Sequence, residues 1–287
     1  MPLAKILLCL DADAQSSVFD SVVAVDSGVD HLFRHGGVKP AEVRDLVYGA
    51  MFTRGPADLK STAVFIGGAD VTAGEALLKA TTECFFGPMR VSAMLDSNGA
   101  NTTAAAAVLA VRRHVDLRGA IVTVLAGTGA VGRRAVRLLA SEGARVRVGS
   151  RKQTHAEATC DRVSSHVQGA DLTPWTTDST DATLAAIAGA QAVIACGPPK
   201  AQLLPAGALK NTPGLQAAID LNAVPPAGIA GIETTDKAVK RDGIVCYGAL
   251  GVGGTKMKIH KAAIARLFTA NNLVLDADEI YALAKEL

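Results

Sequence analysis

Several features that mark other protein classes are missing from this chain of 287 residues. Its five cysteines lie far apart without a C-x-x-C pair, which argues against a disulfide framework or a structural zinc site. The formal net charge is only +2, so neither a disordered charged tail nor a nucleic-acid-binding surface is expected. No uncharged run approaches the roughly eighteen residues of a membrane span, and the first apolar run is too short for a signal peptide. We therefore expect a globular cytoplasmic protein.

Short apolar runs alternate along the chain with longer segments that are compatible with helices. This alternation is typical of parallel sheets built from βαβ units and predicts an α/β fold. The predicted strands are 5–10, 62–66, 90–95, 121–125, 145–148, 192–195, 217–221 and 244–246. Two helices are predicted at the end of the sequence, over 256–268 and 276–287.

The alanine-rich segment 102–114 predicts a helix with a polar start at Asn101, because alanine is the strongest helix former. We expect this helix to connect two α/β domains. Residues 106–254 are predicted to form a Rossmann-type nucleotide-binding domain, and residues 1–105 another α/β unit.

A glycine fingerprint, Gly-Thr-Gly-Ala-Val-Gly, follows the apolar run 121–125 and opens a helix-compatible segment near Ala130. In a Rossmann turn the first glycine makes the tight turn, the second admits the pyrophosphate and the third permits close helix packing. Because a second strand follows, the context favours dinucleotide binding over a plain glycine-rich turn. The expected cofactor-binding residues here are Gly127, Thr128, Gly129, Ala130, Val131 and Gly132.

The second strand of this unit is followed by Ser150, Arg151 and Lys152, where a site for NAD usually offers Asp or Glu to the ribose 2′-hydroxyl. Arginine pairs with phosphate through a rigid fork of donors, lysine adds charge and serine adds a hydrogen bond. We therefore predict NADP as the cofactor. The alternative is that the two cations belong to a solvated helix start.

Two later strand ends are further candidates, because ligands of open α/β sheets lie at the carboxyl ends of strands. Gly197 is a candidate for the nicotinamide ribose and Asn222 for its carboxamide, although both residue types are also ordinary in turns. His31 and His35 have no evident third ligand, so they are expected in a loop or at a helix cap. No metal site is predicted.

Four further segments carry a resemblance that extends over nearly the whole chain. They are 11–20 (DADAQSSVFD), 95–103 (LDSNGANTT), 220–228 (DLNAVPPAG) and 247–258 (YGALGVGGTKMK). Together with the glycine fingerprint, they resemble the NADP-dependent methylene-tetrahydromethanopterin dehydrogenases of one-carbon metabolism, some of which also use methylene-tetrahydrofolate.

The resemblance implies a pterin-side domain of residues 1–105 plus 255–287, a Rossmann domain, a cleft between them, and a homo-oligomer. It also implies that Asp20 and Lys256 are catalytic residues facing the pterin. Ser17, Asp96 and Asn101 are the expected substrate-binding residues. A helix cap for Asp20 and a solvated helix start for Lys256 are the alternatives.

The expected chemistry is hydride transfer from a methylene carbon to NADP, which needs orientation more than acid or base groups. A protonated Lys256 next to a cationic product is unfavourable, so this lysine is expected to bind a pterin oxygen or an anionic tail, or to be deprotonated. Two alternatives remain. One is another two-domain NADP dehydrogenase acting on a hydroxy acid or a shikimate-like alcohol, and the other is a non-catalytic NADP sensor.

Overall fold

A computed structural model describes residues 3–287 as an α/β protein with helices between parallel strands. The strands are β1 (Ile6–Leu10), β2 (His31–His35), β3 (Thr62–Ile66), β4 (Ser92–Leu95), β5 (Ile121–Leu125), β6 (Arg145–Ser150), β7 (Asp171–Thr176), β8 (Ala192–Ala195), β9 (Ala217–Asp220), β10 (Lys237–Arg241), β11 (Ile244–Tyr247) and β12 (Val274–Leu275). The helices are α1 (Val18–Asp26), α2 (Val43–Met51), α3 (Val71–Glu83), α4 (Ala100–Arg112), α5 (Ala130–Ser141), α6 (Gln153–Ser164), α7 (Thr180–Ile187), α8 (Ala249–Arg266) and α9 (Ala277–Ala284). The predicted α/β class is confirmed.

The chain divides into two compact units. Unit 1 comprises the residues up to Thr102 together with Met257–Leu287, and unit 2 comprises Thr103–Lys256. Both boundaries fall within helices, in α4 and in α8. The sequence-based boundaries at 105/106 and 254/255 lie within three residues of these positions.

Unit 1 contains a parallel sheet with the strand order β12-β4-β3-β1-β2. Its inner strands are apolar and buried, and they form a core with α2 and α3. Ser17 caps α1 by accepting a hydrogen bond from the N–H of Asp20, and Asp70 caps α3 in the same way. His31 and His35 lie in β2, so their expected loop or capping position is wrong.

Unit 2 contains a sheet with the order β10-β11-β9-β8-β5-β6-β7, in which only β10 pairs antiparallel among the described strands. Read from β7 to β11, the parallel strands follow the Rossmann order 3-2-1-4-5-6. The predicted bridging helix is α4, which begins at Ala100 instead of Asn101. Residues 104–108 of this helix are fully buried, because alanine allows close packing on every side. Among residues 3–287, no helix is both long and apolar enough to cross a membrane.

Candidate functional site: a dinucleotide turn and a buried carboxylate cluster

The strand order of unit 2 changes direction between β5 and β8. In open α/β sheets this switch point is where ligands bind, outside the carboxyl ends of the strands. Two loops follow the strands here, residues 126–129 after β5 and residues 196–199 after β8. The N–H of Gly127 donates to the carbonyl of Gly149 over 2.8 Å, and that of Cys196 donates to Leu125 over 3.0 Å. The backbone around the switch point is thus held by its own hydrogen bonds.

The glycines of the fingerprint differ in what surrounds them. A methyl group on Gly132 would lie 2.7 Å from the carbonyl oxygen of Ala126, so only glycine lets α5 pack this closely. A methyl group on Gly129 would meet only this same oxygen, at an ordinary 3.7 Å. The fold does not require glycine at position 129, and the space beside this residue is open to a group that approaches from outside. This fits a pyrophosphate at the N-terminus of α5, which begins at Ala130.

The predicted phosphate-binding residues lie at the next strand end. Ser150 is the last residue of β6 and is buried, and its Oγ accepts a hydrogen bond from the N–H of Lys152 over 3.3 Å. Arg151 and Lys152 are exposed, and Lys152 precedes the first turn of α6. Both cations therefore follow the strand that pairs with β5, beside the glycine turn. Their positions suit a 2′-phosphate, and contact with it stays a prediction.

Gly197 and Asn222 both have structural roles in their loops. A methyl group on Gly197 would lie 3.0 Å from the side chain of Leu203. The Asn222 amide donates to the carbonyl of Pro226 over 2.8 Å and accepts from the N–H of Val224 over 3.0 Å. These contacts fix the loop after β9 and favour the turn interpretation. Contact of either residue with the nicotinamide half stays a prediction.

Two ionisable groups, the buried Asp220 and the half-buried Cys196, lie at the same carboxyl edge. The Asp220 carboxylate accepts from the N–H groups of Asn222 and Ile229, while burial raises its pKa above the ordinary value. Burial also raises the pKa of the Cys196 thiol to about 12, and the charge of Asp220 adds to this increase. Cys196 is thus a neutral thiol near pH 7, so it is not equipped to act as a nucleophile.

In unit 1, carboxylates gather at the carboxyl edge of the sheet. A methyl group on Gly67, just after β3, would lie 3.3 Å from Oδ2 of Asp20 and 3.4 Å from Oδ2 of Asp11, so both carboxylates face this glycine. Asp11 accepts hydrogen bonds from the N–H groups of Asp13 and Ser17. Burial raises the pKa of Asp11, and these two hydrogen bonds oppose the increase. Asp11 therefore holds the loop that carries the start of α1.

Of the predicted substrate-binding residues, Asp96 and Asn101 are buried and engaged with the protein. Asp96 accepts from the N–H of Thr102 over 3.0 Å and from its hydroxyl over 2.7 Å. The Asn101 amide donates to the carbonyl of Leu95 over 2.5 Å and to Asp276 over 2.9 Å. Both residues support the chain where β4 passes into α4. Direct contact with a substrate stays a prediction for them and for Ser17.

A histidine that the sequence analysis did not single out lies beside these carboxylates. His260 on α8 is fully buried, with Nε2 at 4.0 Å from Oδ1 of Asp20 and Nδ1 at 3.9 Å from Oδ2 of Asp96. Its ring stacks on Phe65 with a centroid distance of 5.7 Å and an interplanar angle of 21°. Lys256 lies half-buried one helical turn earlier, and this spacing places both side chains on one face of α8.

Comparison with known proteins identifies the family. Residues 18–98 match the sequence profile of the N-terminal part of methylene-tetrahydromethanopterin dehydrogenase. The chain is 45% identical to the bifunctional protein MdtA of Methylorubrum extorquens over 285 residues, which cover 99% of both chains. The chain belongs to the methylene-tetrahydromethanopterin dehydrogenase family. The predicted family is therefore confirmed.

A second relative from Methylorubrum extorquens is named NAD(P)-dependent methylenetetrahydromethanopterin dehydrogenase. It is 31% identical over 284 residues, which cover 94% of each chain. Among solved structures, quinate dehydrogenase of Corynebacterium glutamicum in complex with NAD aligns over 99% of both chains with a TM-score of 0.52. At 14% identity, this last likeness concerns the fold alone.

The family profile extends from α1 to the turn after β4, so it contains Asp20 and Asp96 but ends before Asn101 and Lys256. His260 and Asp11 are the residues that the sequence analysis missed. The spacing of four residues between Lys256 and His260 on a predicted helix was the available signal for His260. Nothing in the sequence placed Asp11 against Gly67, since that contact depends on the pairing of β1 with β3.

Proposed function

We propose that this protein oxidises a methylene-tetrahydropterin to the methenyl form with NADP as the hydride acceptor, as part of one-carbon metabolism. The observation that carries the proposal is family membership over 99% of the chain. Methylene-tetrahydromethanopterin is the expected substrate, and methylene-tetrahydrofolate is the second candidate. The glycine turn and the cations after β6 in unit 2 support NADP, and the carboxylate cluster in unit 1 supports the pterin.

The reaction breaks one C–H bond of the methylene carbon, and both electrons leave with the hydrogen as hydride. Gly127, Gly129 and Gly132 with Ser150, Arg151 and Lys152 would hold NADP, whose nicotinamide ring would provide the acceptor for this hydride. A lone pair of an adjacent pterin nitrogen stabilises the cation that remains, so the step requires no protein base. The protein contributes by holding the methylene carbon about 3–3.5 Å from the hydride acceptor and by excluding water.

Asp20 is proposed to act on the pterin side. Its side chain is 16% exposed, whereas Asp96 and His260 are completely buried. A carboxylate in this position either stabilises the positive charge that develops on the pterin or anchors its amino group. The variant Asp20→Asn separates the two roles. Loss of charge stabilisation lowers kcat, whereas loss of anchoring chiefly raises KM for the pterin.

Lys256 is proposed to bind a pterin oxygen or the anionic tail of the substrate. A protonated amine beside a developing cation would oppose the reaction, so its charge belongs near an acceptor at some distance from the reacting carbon. Lys256→Met keeps the length of the side chain and removes its charge. If the lysine binds the tail, KM rises for tailed substrates and kcat changes little.

A homo-oligomer is also proposed. Val18, Val22 and Val25 project from one side of α1 and are 69%, 56% and 58% exposed. A contiguous apolar patch of this kind is typical of an association surface. Analytical ultracentrifugation of Val22→Asp tests it, since a charge there weakens association through this helix.

We further propose a cytoplasmic location without nucleic-acid partners. The five cysteines are free thiols, as expected in a reducing compartment, and the near-balanced charge offers no basis for phosphate-backbone binding. The proposed function as a whole is tested by NADPH formation from methylene-tetrahydromethanopterin and NADP. Absence of turnover with both pterins, with NADPH still bound, contradicts it.

A further inference from the structure

His260 occupies an unusual position for a histidine, between two carboxylates in the interior of unit 1. Nε2 lies 4.0 Å from Asp20 and Nδ1 lies 3.9 Å from Asp96. These distances are within ion-pair range and slightly beyond a direct hydrogen bond. In its protonated form the ring presents positive charge to both carboxylates. Burying such a group is costly unless its polar neighbours are arranged around it.

Of the two carboxylates, that of Asp96 is held in place by hydrogen bonds. Asp96 receives two hydrogen bonds from Thr102, one from the backbone and one from the hydroxyl, at 3.0 and 2.7 Å. Its side chain is completely buried. The Asp96 carboxylate therefore has a defined position at the start of α4 and provides a fixed reference for Nδ1 of His260.

The plane of the imidazole ring is also fixed. Phe65 of β3 stacks on it at 5.7 Å, and the ring of Phe19 lies at 6.4 Å with a tilt of 37°. Since α8 carries the histidine and β3 carries Phe65, the ring is held by two elements that are far apart in sequence. The edge of the ring that faces Asp20 is thereby oriented.

Asp20 is the member of this group that has access to the surface. Its backbone is fixed by the Ser17 cap of α1, and its carboxylate faces Gly67. The order from the interior outward is thus Thr102, Asp96, His260 and Asp20. Asp96 is anchored, the imidazole of His260 is oriented, and the Asp20 carboxylate is accessible. Proteins use this kind of arrangement to fix the position of a reacting side chain.

We propose that His260 is a positioning residue that orients and electrostatically supports the Asp20 carboxylate, with Asp96 and Thr102 holding the imidazole. This inference rests on the proposed function, in which Asp20 acts on the pterin. It predicts that the effect of His260 on the reaction passes through Asp20, whereas a merely structural histidine affects the reaction through the stability of the fold.

The test is a double-mutant cycle on the full chain with NADP and methylene-tetrahydromethanopterin. His260→Gln should lower kcat on the order of tenfold or more, and in the Asp20→Asn background the same substitution should change kcat less than about twofold. An equal loss in both backgrounds overturns the proposal. His166→Gln, at an exposed histidine after the end of α6 and away from the proposed site, is the control and should leave kcat unchanged.

A second comparison distinguishes positioning from packing. The amide nitrogen of glutamine lies near the place of Nε2, which faces Asp20, whereas that of asparagine lies near Nδ1, which faces Asp96. His260→Gln should therefore retain several-fold more activity than His260→Asn at similar thermal stability. If activity instead follows only the unfolding temperature of the variants, the positioning role is refuted.

If both substitutions prevent folding, Thr102→Val replaces them, because it removes the hydroxyl that donates to Asp96 and lies 3.3 Å from the carbonyl of Gly99, while the backbone N–H to Asp96 stays. It should lower kcat several-fold in the wild-type background and not in the Asp20→Asn background. A crystal structure of the variant gives a readout without turnover, since Asp20 should be displaced relative to Gly67. An unmoved Asp20 contradicts the positioning role, whereas an inactive wild-type protein contradicts the proposed function instead.

Discussion

Arg151 provides the sharpest test of cofactor selection. The side chain is exposed and follows β6, the strand that pairs with β5 next to the glycine turn. If Arg151 contacts the 2′-phosphate, Arg151→Ala removes a charge-assisted interaction that NAD never makes. NADP binding should then weaken while NAD binding stays nearly constant.

The expected magnitude follows from the exposure of the site. A hydrogen bond to a charged group contributes about 1.5–3 kcal/mol, and solvent screening places an exposed arginine at the lower end. About 1.5 kcal/mol corresponds to roughly a tenfold increase in the dissociation constant for NADP. Lys152 is also exposed and adds charge without a rigid fork of donors, so Lys152→Ala should weaken NADP binding by a smaller factor.

Isothermal titration calorimetry with NADP and NAD, at fixed ionic strength, measures both constants. Arg162→Ala is the control, because this exposed arginine lies in the last turn of α6, at the far end of the helix that begins just after Arg151 and Lys152. It should leave both constants unchanged. Equal weakening of NADP and NAD by Arg151→Ala refutes the reasoning, because the arginine then supports binding without reading the phosphate.

Three further predictions concern stability and reactivity. Gly129→Ala should weaken NADP binding more than tenfold with little change in Tm. Gly132→Ala should instead lower the free energy of unfolding by about 1–3 kcal/mol, since its methyl group would meet backbone atoms at 2.7 Å. A cofactor titration and a calorimetric melt of both variants check this, and an unchanged stability of Gly132→Ala contradicts the packing argument. Burial raises the thiol pKa of Cys9 and Cys196 to about 12, so both stay protonated at pH 8 and should resist iodoacetamide until the protein unfolds. Mass spectrometry of the treated protein measures the labelling, and rapid labelling of either cysteine in the native protein contradicts this prediction. Asn101→Ala should lower the free energy of unfolding by about 1–3 kcal/mol, because the buried carbonyl of Leu95 and the part-buried carboxylate of Asp276 lose their donor. An unchanged denaturation midpoint would assign the residue to binding alone.

The sequence predicted the inner strands of both sheets and missed the edges. The eight predicted strands correspond to β1, β3, β4, β5, β6, β8, β9 and β11. The strands that were missed, β2, β7, β10 and β12, are the edge strands of their sheets. Inner strands of a parallel sheet are buried on both faces and read as apolar runs, whereas edge strands have exposed or polar residues. The segments His31–His35 and Lys237–Arg241, which are largely exposed, show why no apolar run marked them.

For the candidate site, local sequence patterns predicted only the proximity of residues that lie close together in the chain. The glycine turn and the cations after β6 lie within about twenty-five residues of each other, so a local pattern was sufficient to find them. His260, Asp20 and Asp96 come from three distant parts of the chain, and their proximity depends on how α8 packs in unit 1. No local pattern reports such a contact. The hydrogen bonds of the Asn222 amide with its own loop likewise depend on the backbone conformation of residues 222–226, which the sequence did not predict.

The initial rate of NADPH formation by the purified protein tests the proposed dehydrogenase activity most directly. The assay supplies methylene-tetrahydromethanopterin and NADP, with methylene-tetrahydrofolate and NAD as parallel replacements. We expect turnover with the methanopterin substrate, a preference for NADP over NAD, and a lower kcat or a higher KM in Asp20→Asn. If protein that binds NADPH turns over neither pterin, the proposed dehydrogenase activity is wrong.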